Sequence, residues 1–300
     1  MSTQGVEAKT VAVREVSATP GSKYLRCCDR EVHYMERGRP DAPTVMMVHG
    51  LARTGRDFDE LAAALSDTYR VICPDMIGRG LSQWSPKPEE EYRFDFYARL
   101  VAVLADQLSI VSMRWVGTSM GGLIGIWGGG ASALKGRISH LVVNDVSPIV
   151  APSEALERIV SYLSKPPEFD TVTEFEGYLR LVYKPYGQQS DLFWRTMAET
   201  SARRLPNGKI TNHYHPEIVK QFSADPDLVR LWDAYKSLSM PTLVFRGMES
   251  DVMPREAAQA MTECGPRARL IEIPGCGHAP TLNTPEQIDL VRRLFAQPST

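Results

Sequence analysis

One short stretch, Trp-Val-Gly-Thr-Ser-Met-Gly-Gly at residues 115–122, constrains the fold of this chain more than any other. Its apolar start has the pattern of a buried strand, and its apolar continuation has helical spacing, so a sharp turn must join the two at Ser119. Gly117 and Gly121 frame the serine in a G-x-S-x-G pattern, where added side chains would collide with the neighbouring strand and helix. A serine held at the tip of such a turn is a candidate nucleophile.

Apolar runs alternate with helical patterns on both sides of this turn. Strands are predicted at 44–48, 69–73, 113–118, 138–143, 242–246 and 269–273, with one or two antiparallel strands within 23–37. Helices are predicted at 57–66 with Asp57 as N-cap, at 94–108, 121–134 and 255–263, and from the N-cap Thr284 onward. Because strands and helices alternate, we expect an α/β fold with a mostly parallel sheet and right-handed crossovers.

The strand pattern stops between residues 148 and 240, where prolines separate helical stretches that are rich in aromatic residues. This segment is far longer than an ordinary connection and is predicted to be an inserted helical cap. The α/β core then comprises residues 23–147 and 241–300, and residues 1–22 form an N-terminal tail. The aromatic residues of the cap either line a pocket for an apolar or aromatic group or form the cap's own core. Trp194, one of them, is a candidate substrate contact.

A serine nucleophile needs a neighbouring base, and the base needs a carboxylate that fixes its tautomer. His278 follows the last predicted strand in a Gly-bracketed loop, at the sheet edge where Ser119 is expected. Asp251, in the loop after the preceding strand, is the preferred carboxylate because serine, aspartate and histidine then follow the order described for this architecture. Asp145, directly after the strand that precedes the cap, is the second candidate or else a turn-forming residue.

A tetrahedral intermediate needs two backbone N–H donors for its negative charge. Met120, the residue after the nucleophile, is expected to supply one, and Leu51, in the loop after strand 44–48, the other. His49 is expected to shape that loop by local hydrogen bonding. Arg53 and Arg79 are candidates for binding a substrate carboxylate, with ordinary structural pairing as the alternative.

Composition excludes several classes of function. The net charge of −2 provides no basic field for nucleic acid, and no apolar run is long enough to cross a bilayer. Five cysteines without a C-x-x-C pair argue against a disulfide scaffold or a zinc site and favour a cytoplasmic location. Cys276 is either a small loop residue or a reactive thiol. His213, His215 and Glu217 lack the spacing of a helical ligand pair, so neither a metal nor a cofactor is expected.

Together these motifs resemble the α/β-hydrolase superfamily over about residues 23–300. The matching residues are His49-Gly50, the stretches 75–82 and 117–122, Gly247 to Asp251, and Gly277-His278. The resemblance implies an eight-stranded, mostly parallel sheet with a cap inserted after the sixth strand. It also implies a Ser119–Asp251–His278 triad with Leu51 and Met120 as the oxyanion hole. Within the superfamily, the chain is similar to small bacterial serine hydrolases, which include esterases, lactonases and carbon–carbon bond hydrolases.

The resemblance therefore predicts an enzyme that cleaves a small-molecule carboxylic ester, with an apolar or aromatic part, through an acyl-enzyme. A lactone or a carbon–carbon bond is the alternative target of the same triad, although Thr118 replaces the Asn that carbon–carbon hydrolases usually carry before the serine. A cofactor-free perhydrolase or haloperoxidase and a non-catalytic scaffold are further alternatives. Ser119 argues against haloalkane dehalogenases and epoxide hydrolases, which carry aspartate there. The sequence does not indicate the oligomeric state.

Overall fold

The computed structural model describes residues 21–149, 154–224 and 230–299, in which one large sheet organises the chain. The strands of the described residues are β1 Gly21–Cys27, β2 Arg30–Arg37, β3 Thr44–Val48, β4 Arg70–Pro74, β5 Met113–Thr118, β6 Ile138–Asn144, β7 Ala202–Arg204, β8 Ile210–Asn212, β9 Thr242–Gly247 and β10 Arg269–Ile273. Eight of them form the large sheet in the order β1-β2-β4-β3-β5-β6-β9-β10. Strand β2 is antiparallel to both neighbours, and the other pairs are parallel. The predicted eight-stranded, mostly parallel sheet is confirmed.

Helices connect the parallel strands and cover the sheet. The α-helices of the described residues are α1 Asp59–Leu65, α2 Pro88–Glu91, α3 Phe94–Gln107, α4 Met120–Ala131, α5 Glu154–Leu163, α6 Val172–Val182, α7 Asp191–Ser201, α8 Gln221–Ala224, α9 Leu231–Lys236, α10 Arg255–Glu263 and α11 Pro285–Phe295. At the start of α11, the side chain of Thr284 accepts a hydrogen bond from the N–H of Gln287, as expected for its N-cap. None of the helices in the described ranges combines the length and apolar character needed to span a bilayer.

The central strand β3 shows why both faces of the sheet are covered. All five of its residues are buried, and successive side chains point to opposite faces. Val45 and Met47 pack into the hydrophobic core on one face, whereas Met46 and Val48 pack into the core on the other. A continuous apolar run therefore stabilises two helix-covered layers at once.

The helix predicted at 57–66 begins differently in the structure. A short 3₁₀ helix over Gly55–Phe58 comes first, and α1 follows it. The N-cap of this unit is Thr54, whose side chain accepts from the N–H of Arg56, so the assignment of Asp57 as N-cap is wrong. Asp57 instead binds the guanidinium of Arg53. The carboxylate of Asp57 pairs with Arg53 four residues earlier in the chain, so it does not cap the helix.

The glycine run Gly128–Gly130 lies inside α4, where each glycine costs about 0.8–1.0 kcal/mol relative to alanine. Close packing explains it. A Cβ on Gly130 would collide with the carbonyl of Ala234 in α9, and one on Gly128 would lie 2.8 Å from the side chain of Leu134. The run lets α9 lie directly against α4.

Five α-helices, two short 3₁₀ helices and the β7–β8 hairpin lie between β6 and β9 in the described part of the chain. Several of them share a small hydrophobic core that includes Phe175, Trp194 and Ile210. The division into a core and a cap at 148–240 stays a prediction. Most of the predicted N-terminal tail lies outside the described residues, and β1 begins at Gly21, two residues before the predicted start of the core at residue 23.

Candidate active site

Ser119 occupies the turn between β5 and α4. Its backbone has φ 51° and ψ −115°, a conformation that non-glycine residues adopt only when the surroundings enforce it. The two flanking glycines provide that enforcement. A Cβ on Gly117 would collide with the backbone at Gly121, and a Cβ on Gly121 would collide with the carbonyl of Val48 in β3. The strand and the helix approach so closely that the serine is pushed out at the carboxyl edge of the sheet.

His278 links this serine to a buried carboxylate. Its Nε2 lies 3.0 Å from Ser119 Oγ, and its Nδ1 lies 2.8 Å from Asp145 Oδ2. A carboxylate only accepts hydrogen bonds, so Nδ1 carries the proton, and Nε2 is left to accept from the serine hydroxyl. This tautomer is the one that a general base toward Ser119 requires.

Asp145 is held in place by donors from the neighbouring strand. The residue directly follows β6 and is fully buried. Its Oδ1 accepts the N–H of Gly247 at 2.7 Å, and its Oδ2 accepts the hydroxyl of Ser250 at 2.6 Å. These hydrogen bonds replace lost water and fix the carboxylate toward the imidazole.

The prediction that Asp251 orients His278 is wrong. Its side chain is 47% exposed and forms an ion pair with Arg158 at 2.7 Å. The loop after β9 does reach the site, but it contributes the donors Gly247 and Ser250 rather than an acceptor. Strand β6 lies between β5 and β9, so the residue that follows it directly is the one beside Ser119.

The loop after β3 is shaped as expected. His49 donates from Nδ1 to the carbonyl of Gly50 at 2.7 Å and accepts the N–H of Met76 at Nε2. Burial lowers the pKa of His49 to about 4, so the ring stays neutral in this role. An added Cβ on Gly50 would lie 3.8 Å from Ser119 Cβ, which brings the amide of Leu51 into the neighbourhood of the nucleophile. Met120 begins α4, where helix amides have no partner within the helix.

Arg79 supports this loop and does not reach a substrate, so the prediction that it binds a substrate carboxylate is wrong. Its side chain is fully buried. It donates to the carbonyl of Leu51 at 2.8 Å, to the hydroxyl of Tyr97 at 2.7 Å and to the sulfur of Met120 at 3.3 Å. The guanidinium thus joins the two residues whose amides are the candidate oxyanion donors.

Arg53 and Trp194, the other two candidate substrate contacts, have different positions. Arg53 borders the cavity above Ser119, but its guanidinium already binds Asp57 through two nitrogens and Ser201 through a third. Trp194 is buried in the core shared by α6 and α7 and borders neither of the two cavities described below. The expectation that Trp194 contacts substrate is wrong, because packing within the helices takes up its surface.

A cavity of about 520 Å³ opens onto Ser119 and His278, within the size range of small-molecule sites. Residues from the segment between β6 and β9 form much of its wall: Ile159, Tyr162, Leu163, Leu181, Val182, Tyr183 and Tyr186. Burial raises the pKa of Tyr162, Tyr183 and Tyr186, so these tyrosines keep their hydroxyl protons. The wall combines aliphatic surface with neutral hydroxyl groups.

The remaining candidates have structural partners. Cys276 is buried, burial raises its thiol pKa to about 11, and its Sγ lies 3.7 Å from the carbonyl of Ile273, as expected for a small loop residue. His215 stacks on Trp84 and its Nδ1 lies 2.8 Å from the hydroxyl of Tyr92. Within the described ranges, no group of three or more His, Cys, Asp or Glu side chains is placed to hold a metal ion.

Sequence reasoning missed three groups at this site. Ser250 was passed over as part of a loop, although its hydroxyl holds the carboxylate of Asp145. Arg158 and Lys184 border the cavity from the segment between β6 and β9. Only spacing within one element is visible in a sequence, and these three residues reach the site from separate elements.

Comparison with known proteins identifies the family of this chain and several relatives that match most of its length. A family model described as alpha/beta hydrolase fold matches residues 43–285. The chain is 36% identical over 297 residues to a 3-hydroxybutyrate-oligomer hydrolase of Cupriavidus necator, covering 93% of this chain and 99% of that protein. It is 27% identical to a pimeloyl-[acyl-carrier protein] methyl ester esterase of Nitrosomonas europaea, covering 82% of this chain and 93% of that protein. A crystal structure of an alpha/beta hydrolase from Novosphingobium aromaticivorans superposes with a TM-score of 0.80 at 32% identity, covering 92% and 97% of the two chains.

Proposed function

Since the chain belongs to the α/β-hydrolase family and is a hydrolase, we propose that it is a serine carboxylic-ester hydrolase with the triad Ser119, His278 and Asp145. The observation that carries this proposal is the continuous hydrogen-bonded path from Asp145 through His278 to Ser119 at the floor of a cavity. A serine and a base in this contact are the requirement for nucleophilic acyl transfer.

In the first half of the reaction, Ser119 Oγ attacks the ester carbonyl carbon while its proton passes to His278 Nε2. Asp145 stabilises the imidazolium, and the amides of Leu51 and Met120 donate to the oxyanion. The carbon–oxygen bond to the alcohol then breaks, and His278 returns the proton to the leaving oxygen. In the second half, water attacks the acyl-enzyme by the same route and releases the acid and free Ser119.

The substrate class that we propose is a short oligoester of small hydroxy acids. The relative that supports it is named a 3-hydroxybutyrate-oligomer hydrolase and aligns with nearly the whole chain. The large cavity above Ser119, with its aliphatic and hydroxyl-bearing wall, is compatible with repeated methyl and carbonyl groups. The proposal also places the enzyme in the cytoplasm, which the five free cysteines support.

Replacement of Ser119 tests the proposal. Purified protein and Ser119→Ala are assayed with p-nitrophenyl acetate and with dimers and trimers of 3-hydroxybutyrate. We expect hydrolysis by the natural sequence and a loss of about 10³-fold or more in Ser119→Ala, with the circular dichroism spectrum unchanged. Equal turnover by both proteins would overturn the assignment of the nucleophile.

A panel of substrates tests which bond is cleaved. The same triad also serves lactones and carbon–carbon bonds, so an ester, a lactone and a vinylogous diketone are compared by kcat/KM. We expect the ester to be the best substrate. A clear preference for the lactone or the diketone would replace the ester proposal by the corresponding alternative.

A further inference from the structure

A second cavity, of about 260 Å³, lies next to the first. Three residues border both cavities: Thr118, Tyr186 and Ala279. Thr118 directly precedes the nucleophile and Ala279 directly follows the histidine, so the two cavities approach each other beside the reacting groups. Ser119 and His278 border the first cavity, and the second cavity is bordered by the residue next to each of them, so it is placed to receive the part of a substrate that extends past the reacting groups.

The second cavity has the chemistry of a neutral, partly polar chain. Helix α7 contributes Phe193, Thr196, Met197 and Thr200 to its wall, with Thr196 and Thr200 one helical turn apart. Aromatic and thioether surface thus alternates with hydroxyl groups. The Thr200 hydroxyl already donates to the backbone carbonyl of Thr196, so on this helix Thr196 supplies the hydroxyl that can donate to an ester carbonyl. Phe193 and Met197 suit methyl groups.

Cationic side chains outnumber carboxylates around the first cavity. Arg53 is neutralised by Asp57, but Arg158 and Lys184 also border the cavity, against the single carboxylate of Asp251. The ion pair of Arg158 with Asp251 joins side chains that are 57% and 47% exposed, and such pairs contribute little free energy. A substrate carboxylate can therefore exchange with Asp251 at the guanidinium of Arg158.

The second cavity lacks the excess of cations found at the first. Of the charged residues on its border, Arg56 is paired with Asp59 at 2.6 Å and Asp57 is paired with Arg53, so neither pair adds net charge. Glu60 adds one negative charge. A substrate carboxylate therefore meets a cation at the first cavity rather than at the second, whereas an uncharged hydroxyl end is accepted here.

We propose that the second cavity binds the hydroxyl-terminated acyl part of a hydroxy-acid oligoester and the first cavity binds its alcohol part with the free carboxylate. This inference rests on the proposed ester hydrolysis. In such an oligoester each carbonyl is joined to the hydroxyl oxygen of the next unit, so the free carboxylate always belongs to the alcohol side of the cleaved bond. Attack forms the bond from Ser119 Oγ to the carbonyl carbon and breaks the carbon–oxygen bond. The alcohol part leaves from the first cavity with the proton from His278.

The acyl subsite is tested by filling the second cavity. Thr196→Phe is compared with Thr173→Phe, which makes the same change at an exposed position of α6 that borders neither cavity. The probes are the p-nitrophenyl esters of acetate, butyrate and hexanoate. In Thr196→Phe, the kcat/KM ratio of hexanoate to acetate should fall about tenfold, because the longer acyl chain loses its space. Thr173→Phe should keep the ratio of the natural sequence.

A variant of the first cavity should leave the preference for acyl-chain length unchanged. Ile159→Phe narrows that cavity, and the ratio of hexanoate to acetate should stay unchanged, since the leaving p-nitrophenol is common to all three esters. If Ile159→Phe lowers the ratio and Thr196→Phe does not, the acyl part lies in the first cavity and the proposed orientation is overturned. If the natural sequence hydrolyses none of these esters, the ester-hydrolase proposal itself fails.

The carboxylate subsite is tested with a 3-hydroxybutyrate trimer and its methyl ester, which differ in the terminal charge. Arg158→Gln should raise KM about tenfold for the free acid and leave KM for the methyl ester within about twofold, because only the acid loses a charge-assisted hydrogen bond. Arg26→Gln, at an exposed arginine paired with Asp29, is the matched control and should change neither value. Equal effects of Arg158→Gln on both substrates would overturn the carboxylate assignment.

Discussion

Asp145 joins three elements of the site through one carboxylate. It binds the ring of His278 in the loop after β10, the amide of Gly247 at the end of β9, and the hydroxyl of Ser250 in the loop that follows β9. Full burial makes each of these hydrogen bonds necessary, since water is absent from the carboxylate. The residue therefore both fixes the tautomer of the base and stabilises the contact between two neighbouring loops.

Asparagine at position 145 keeps the size of the side chain and removes its charge. We expect Asp145→Asn to lower kcat by about 10³–10⁴-fold, because the imidazolium is no longer stabilised and the tautomer is no longer fixed. Asp251→Asn, the matched change at an exposed carboxylate, should keep kcat within about one order of magnitude. Rates with p-nitrophenyl acetate, together with thermal unfolding of both variants, decide the question. A larger loss in Asp251→Asn than in Asp145→Asn would contradict the proposed triad.

Arg79 acts on the candidate oxyanion loop from behind. Arg79→Lys keeps the positive charge but cannot reach Leu51, Tyr97 and Met120 at the same time, because an ammonium lacks the planar fork of a guanidinium. We expect kcat to fall about tenfold, less than the 10²–10³-fold caused by losing an oxyanion donor outright. The loss should be equal for acidic and neutral esters. A loss confined to the KM of acidic substrates would indicate instead that Arg79 binds the substrate carboxylate.

The contact between α4 and α9 explains why α4 contains three consecutive glycines, which have low helix propensity. Strand β5 and helix α4 must lie close together to hold Ser119, and the far end of α4 is fixed by α9. Glycine at position 130 gives up helix propensity so that the two helices can touch. The packing of the helix, rather than its sequence preference, determines where α4 lies.

Gly130→Ala should therefore destabilise the protein, although alanine is the better helix former. We expect the free energy of unfolding to fall by about 1–3 kcal/mol, since the added methyl group meets the backbone of α9. Gly177→Ala is the matched control, because Gly177 lies in α6 with nothing within 4 Å of an added Cβ. That variant should gain up to about 1 kcal/mol. Urea unfolding of both variants measures the difference, and a stabilised Gly130→Ala would contradict close packing as the reason for the glycine run.

At the scale of the whole molecule, burial of neutral histidines predicts how stability depends on pH. Burial lowers the pKa of His49 and of His213 to about 4 each. His213 Nε2 is buried and has no hydrogen-bond partner among the described residues. Both rings take up a proton near pH 6.5 in the unfolded chain but stay neutral in the folded protein. The unfolded state binds more protons between these values, so stability falls as pH drops from about 6.5 toward 4.

Replacement of His213 should reduce this dependence. We expect His213→Phe to lose less stability than the natural sequence between pH 7.5 and pH 4.5, by about 1.4 kcal/mol for each unit of pKa difference removed. Urea unfolding at the two pH values measures it, and the comparison cancels any constant effect of the substitution. Parallel losses in both proteins would show that His213 does not contribute to the acid sensitivity.

Local patterns of residues were enough to predict the order of strands and helices, the turn that holds Ser119 and the loop that presents His278. These features are local, because side-chain periodicity and glycine positions record the conformation of the residues that carry them. The tertiary structure alone decided which carboxylate meets His278. Asp145 and Asp251 both follow strands, in the same chain order relative to the serine and the histidine. In the folded chain Asp145 is buried beside His278, whereas Asp251 points to the surface and pairs with Arg158.

The same physical reason separates the two arginines and Trp194 from their sequence-based assignments. The sequence gives the position of an arginine or a tryptophan along the chain, but it does not show where the side chain points. That direction depends on the residues that pack around it. In the structure, Arg79 donates to the carbonyl of Leu51, Arg53 pairs with Asp57, and Trp194 packs in the core shared by α6 and α7. The charge contrast between the two cavities likewise arises from segments far apart in the chain. The local sequence pattern therefore predicted the nucleophile and the base, and long-range packing determined which side chains surround them.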